Sequence, residues 1–311
     1  MKAATKPGIS ILSIVLLFGL SVASAFAQDN LFEESVTING SFVLDVDTGS
    51  GSIKVRSGSG DEVIVTGKIQ VNRRFFGVKR GDADEIIQAI KDNPPIEVSD
   101  GQLRVGRISD RSVRKKVSIS YDIIVPAGTE VVAETGSGSV TVTDISAPVE
   151  VHTGSGSVKL ESIAGAVKAR TGSGSITADG VGGAFNARTG SGSISLVQTA
   201  PGDVVVSTGS GSSELKGVVG SVKASAGSGR ITVDGRQEGD WTLDTGSGGV
   251  RVYLPDNASF DLDAESSSGG IDIDHPLTVQ GRISKKHITG QVRDGGPLLK
   301  IDTGSGGIRI R

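Results

Sequence analysis

Two acidic residues set 18 positions apart, Glu161 and Asp179, are the nearest this 311-residue chain comes to a catalytic pair. Paired carboxylates can divide acid and base work on a glycosidic bond. The chain repeats itself every 18 residues here, so the two belong at equivalent positions on neighbouring strands. The third copy, however, carries Val197 at that position, and aromatic residues able to hold a sugar ring make up only 4% of the chain. A solvated outer face of mixed charge therefore explains the pair better than catalysis does. The other reactive side chains are equally dispersed. His152, His275 and His287 are all the histidines, with no His-x-His or Glu-x-x-His spacing to build a metal cage. Cysteine is absent, which removes disulfides, thiolate chemistry and Cys-ligated metal. No serine sits in a nucleophile-elbow context. The expectation is a chain that is not an enzyme and needs no cofactor.

Basic residues form two candidate partner-binding groups. Lys168, Arg170 and Arg188 should project outward from the first strands of adjacent coils, with Lys159 on the second strand of a preceding one. Stacked like charges repel, and an anionic glycan, lipopolysaccharide or peptidoglycan could justify them. Glu150 and Asp179 nearby also fit an ordinary solvated face. The second group is Arg73 and Arg74 beside Phe75 and Phe76. Basic and aromatic residues in a loop suit a membrane or partner contact, while a folded cap would instead bury the phenylalanines.

The elements that carry these residues are written in the repeat. Thr-Gly-Ser-Gly-Ser stands at Thr135, Thr153, Thr171 and Thr189, each start 18 residues after the last. A segment of this length buries no core alone, so copies must stack into a solenoid. Two and four residues before each threonine, and five and seven after it, stand apolar residues such as Val167, Ala169, Ile176 and Ala178, alternating with polar ones. Period-two alternation gives each coil two short strands with one face inward. The glycines of the corner are expected to supply positive φ for a sharp turn. Stacked hydroxyls should bond one another or neighbouring backbone. Calcium-binding β-rolls share a Gly-rich corner, but the ligating aspartates are missing here.

The pattern continues with drift at Thr208, Ala226, Thr245, Ser266 and Thr303, and an early copy stands at Thr48 to Ser52. Between the early copy and Thr135, acidic residues followed by Ile86, Ile87 and Ile90 predict one helix over 81–93, ended by Pro94-Pro95. Strands are expected over 63–71, 103–105 and 117–125. Trp241 and Leu243 fall on inward positions, so the single Trp reads as core. At the N-terminus, Lys2 and Lys6 precede an apolar run from Ile9 to Val22 and then Ala25-Phe26-Ala27, which predicts a secretory signal cleaved after Ala27. A formal charge of -3 gives no electrostatic reason for a nucleic-acid partner.

The early Gly-Ser-Ile coil, Tyr121-Asp122-Ile123-Ile124-Val125-Pro126, the tandem Ser-Gly-Ser-Ile and Ser-Gly-Gly-Ile coils, Val252-Tyr253-Leu254-Pro255 and the terminal Gly306-Gly307-Ile308-Arg309-Ile310 together resemble the bacterial putative-adhesin family of unknown function. The resemblance implies an extracytoplasmic β-solenoid, with Ser or Gly standing where that family usually carries a corner Asp. The combined expectation is an all-β, parallel β-solenoid (β-helix) of about 18-residue coils with one short helix in an N-terminal insertion. Residues 28–130 would form N-terminal coils and a cap, and 131–311 a regular array, in one domain. It would act as a periplasmic or secreted binding, adhesin-like or scaffolding surface whose partner is an envelope glycan or envelope protein. No transmembrane segment would remain after signal cleavage. A carbohydrate-active β-helix enzyme and an envelope-stress accessory protein are the alternatives.

Overall fold

In the computed structural model, which describes residues 30–38, 40–72, 80–99, 101–279 and 284–311, the alternating segments form the expected two strands per coil. The segment 1–27 expected to be a secretory signal and the group Arg73, Arg74, Phe75 and Phe76 lie outside the described residues. First strands stack in parallel and in register, so that Val149–Thr153, Val167–Thr171 and Phe185–Thr189 pair residue for residue. Second strands Val158–Ile163, Ile176–Val181 and Ile194–Gln198 do the same. One residue of slip would turn every inward side chain outward, so the apolar alternation itself fixes this register. Val158, Ile176 and Ile194 accordingly form one buried column.

The corners from Thr135 onward are held by a hydrogen-bond relay repeated in every coil but one. The Thr171 hydroxyl donates to the carbonyl of Gly156 in the preceding coil (2.8 Å) and accepts the N–H of Gly174 in its own (3.1 Å). Thr153, Thr189, Thr208, Thr245 and Thr303 repeat both bonds, and Ser266 makes them with its own hydroxyl. Ala226 breaks the series, because its side chain can make neither bond. We predict that Ala226→Thr, between Thr208 and Thr245 in the same column, raises the unfolding free energy by about 1 kcal/mol in urea titration.

The structure corrects the reason for the corner glycines. None of the glycines in the Thr-Gly-Ser-Gly corners has positive φ. They are small because backbones meet there: a Cβ on Gly174 would lie 1.9 Å from the Gly156 carbonyl oxygen, and one on Gly172 2.4 Å from that of Gly154. Left-handed residues occupy the second corner instead, at Asp144, Ser162, Gly180 and Gly217, nine positions after the motif threonines. Next to them Ile145, Ile163 and Val181 plug the interior.

Both ends of the stack depart from sequence order. At one end Gln102–Val105 lies on Val43–Thr48, and Val117–Pro126 on Ile53–Gly58. Antiparallel strands Glu62–Val71, then Leu31–Thr37, close that edge, and Ile96–Ser99 closes the other. Helix α1, Arg80–Asp92, packs against Glu62–Val71 and buries Ile87 and Ile90. A single helical turn, α2, Arg111–Arg114, is capped by Asp110 and was not expected from the sequence. At the far end Leu298–Thr303 inserts between the strand ending at Thr245 and Phe260–Ser266. Ile308–Ile310 likewise enters between Val250–Tyr253 and Ile271–Ile273. The coil written last is thus second to last in space. Antiparallel His287–Val292 covers Phe260–Ser266 and limits the exposed edge. Trp241 is buried, as expected, and its indole N–H donates to the Gly220 carbonyl at 2.8 Å.

Candidate binding surface

The outward residues of each ladder form columns along the stack axis, with neighbours about 4.8 Å apart. In the first-strand column preceding the threonines, His152, Arg170 and Arg188 are consecutive. In the next column Lys168 lies opposite Glu150 and bonds it, Nζ to Oε1, at 2.6 Å. Lys159 belongs to the other ladder and is held by Glu161 at 2.7 Å. The predicted basic stripe is therefore divided: two of its four cations are neutralised and one lies on a different face. Arg170 and Arg188 remain adjacent and exposed, with no ion pair among the described residues. Glu161 and Asp179 are register partners, as the spacing implies, followed by Val197.

A second basic group, missed in the sequence, is assembled by the displaced C-terminal coil. Thr232, Arg251, Arg309 and Asp272 are consecutive in one outward column of the second ladder. Arg309 Nε lies 3.4 Å from Asp272 Oδ2, and Arg311 Nε 3.3 Å from Asp274 Oδ2. Arg251 has no ion pair among the described residues. Beside this column runs a trough of about 490 Å³ lined by Arg230, Arg251, Arg309 and Asp272 together with Gly249, Gly307 and Gly270. Tyr253 follows Arg251 by two residues on the same outward face and is 38% exposed. The sequence signal was the change from Gly-Ser to Gly-Gly in the last three corners, but the sequence could not reveal that Arg309 stacks next to Arg251.

At the opposite end, the 106–116 connection borders a hollow of about 450 Å³ lined by Thr48, Gly49, Arg107, Arg114 and Tyr121. The Tyr121 ring packs edge-on against Phe32, with ring centres 6.4 Å apart, and its hydroxyl is buried without a hydrogen-bond partner. Burial, then the nearby Asp47 charge, pushes its ionisation far above the ordinary tyrosine value. The unfolded chain therefore releases this proton at lower pH than the native one. Stability from this group is complete below about pH 10 and declines as pH rises above it. In a Tyr253→Phe background, tyrosinate absorbance should appear only together with unfolding. Tyr121→Phe should flatten the alkaline loss of stability and cost nothing at neutral pH, because it removes only an unpaired hydroxyl.

These features define an uninterrupted, mostly parallel β-solenoid capped by antiparallel strands, with outward side chains in register. The Toastrack DUF4097 family model matches residues 149–311, and the chain belongs to that family. Among solved structures, the chain is similar to a Bacteroides fragilis protein described as a putative adhesin, at 12% identity, with 90% of this chain and 97% of that one covered and a TM-score of 0.40. It is also similar to a Clostridium sporogenes protein described as a putative cell adhesion protein, at 13% identity, 90% and 98% coverage and a TM-score of 0.19. No curated protein matches. Among the described residues no helix is long and apolar enough to cross a membrane.

Proposed function

We propose that the protein is a non-enzymatic binding surface of the cell envelope, exported by its N-terminal segment and engaging an extended envelope polymer or a partner protein along the outward columns of its coils. The observation that supports this reading most is the strict register of the outward residues from Glu134 through His152, Arg170 and Arg188 to Ser207. A rigid row of side chains at a constant spacing offers repeated weak contacts to a partner that is itself extended, without ordering cost on the protein side. Glu161 engaged by Lys159, on an open face, offers no comparable support for the carbohydrate-active alternative.

The test combines cell fractionation with binding of the purified protein to envelope glycans on an array and to solubilised envelope fractions. Recovery with the envelope or medium and saturable capture of an envelope component are expected. Cytoplasmic retention, or no saturable binding in either assay, would overturn the reading.

A further inference from the structure

We infer that the trough between Arg230, Arg251 and Arg309 is a binding site for an acidic polysaccharide, with sugar carboxylates held by the arginines and a ring face laid on Tyr253. The inference rests on the binding-surface reading above and narrows it to one place and one ligand class.

The first argument concerns the glycines. The last position of the corner motif is Ser in six coils, at Ser52, Ser139, Ser157, Ser175, Ser193 and Ser212, then Arg230, then Gly249, Gly307 and Gly270 in spatial order. The serine is useful to the fold: Ser175 and Ser193 each accept the N–H of the equivalent residue in the next coil. At the far end Gly249 is close-packed, a Cβ there lying 3.0 Å from the Gly307 carbonyl oxygen, but the fold does not require glycine at the other two positions. A Cβ on Gly270 would meet nothing within 4 Å, and one on Gly307 only the Gly270 carbonyl oxygen at 3.5 Å, an ordinary contact. Neither residue has positive φ. These glycines contrast with Gly174, whose neighbour leaves no room for a side chain. Their effect is to leave that part of the trough lining beside the arginines free of side chains.

The second argument concerns charge. Arg251 and Arg309 are register neighbours about 4.8 Å apart, an arrangement that costs stability unless an anion lies between them. Asp272 offsets only Arg309. Arg230 and Arg251 have no carboxylate partner among the described residues, so the site has unspent cationic capacity. Guanidinium groups bind carboxylates with two parallel hydrogen bonds, and a glycine lining free of side chains lets a broad ligand approach the backbone closely. Tyr253, on the same outward face, is one of the two large apolar side chains left exposed among the described residues, and its amphipathic ring suits the face of a pyranose. Phosphate or polyphosphate would satisfy the arginines but make no use of the tyrosine.

Polygalacturonate, its methyl-esterified form and polyphosphate serve as probes for the purified full chain. Polygalacturonate should bind saturably and weaken with salt, and esterification or exchange for polyphosphate should cost at least tenfold in affinity. Arg251→Gln with Arg230→Ala should lose at least tenfold. Gly307→Ser with Gly270→Ser should lose a similar factor while the thermal midpoint stays unchanged, since serine occupies the equivalent place elsewhere in the stack. Lys223→Ala, which removes an exposed cation on the other ladder outside the trough, should leave binding intact. Equal binding of polyphosphate would overturn the sugar assignment. Polygalacturonate binding insensitive to the trough variants would overturn this site while leaving the broader reading standing. The site assignment also falls if polygalacturonate fails to bind. Capture of another envelope component in that case preserves the broader reading, and absence of any capture removes both.

Discussion

Gly174→Ala is expected to prevent the regular coils from closing, with a loss of more than about 3 kcal/mol or outright failure to fold. The added methyl would stand 1.9 Å from the Gly156 carbonyl oxygen, 2.4 Å from its carbon and 2.8 Å from the Ser157 nitrogen. All three are backbone atoms, themselves fixed by ladder hydrogen bonds and by the coil beyond, so no side-chain rotation can make room. Relief requires adjacent coils to separate, which opens the pairing of both ladders at once. Circular dichroism and urea titration of Gly174→Ala beside Ser173→Ala provide the comparison. The serine is exposed in the same corner, and its replacement should change stability by less than about 0.5 kcal/mol.

Thr171→Val should cost about 2–4 kcal/mol, because its shape survives while two bonds vanish. The Gly156 carbonyl and the Gly174 N–H, both in buried residues, lose their hydroxyl partner, at about 1–3 kcal/mol for each unsatisfied group. Thr171→Ser should cost much less, since Ser266 performs both functions in its own coil. Ala226 shows that the array tolerates the loss once. The combination of Thr171→Val with Thr189→Val should therefore exceed the sum of the separate effects where the two corners share the Gly174 residue, whose N–H and carbonyl serve the two hydroxyls. Urea unfolding of the four chains measures this directly.

How far the sequence discloses such a molecule depends on whether the information is local. Alternation around Thr171 identifies Val167, Ala169, Ile176 and Ala178 as inward residues, and burial agrees, because a two-residue period needs no knowledge of the partner strand. Helix α1 was legible from its acidic start and its isoleucine face, within one residue at each end. The role of the corner glycines was not, since glycine has two uses, positive φ and close approach, and only a neighbouring coil distinguishes them. The order of the last coils was hidden for a related reason. Thr245, Ser266 and Thr303 open nearly identical corners, so nothing in any one of them names its neighbour. The candidate site follows that order: Arg251 and Arg309 are 58 positions apart in the chain and adjacent in the sheet. The stripe of Lys159, Lys168, Arg170 and Arg188 was visible as charge, but its neutralisation by Glu150 and Glu161 depended on side-chain geometry.

The stacking order can be read chemically, because a chain without cysteine allows any introduced pair to report alone. Serines at the centre of the corners stack in one column, with Gly304 over Gly246, Gly306 over Gly248 and Gly269 over Gly306. Disulfide formation requires Cα atoms within about 7 Å, so it separates adjacent coils, about 4.8 Å apart, from next-but-one coils at about 10 Å. Oxidation of the pairs Ser155→Cys with Ser173→Cys, Ser247→Cys with Ser305→Cys, and Ser247→Cys with Ser268→Cys is the decisive measurement. The first two should cross-link rapidly within one molecule and the third should not. Efficient cross-linking of the third pair with none in the second would restore sequence order to the stack, contradict the intercalated C-terminal coil, and separate Arg251 from Arg309.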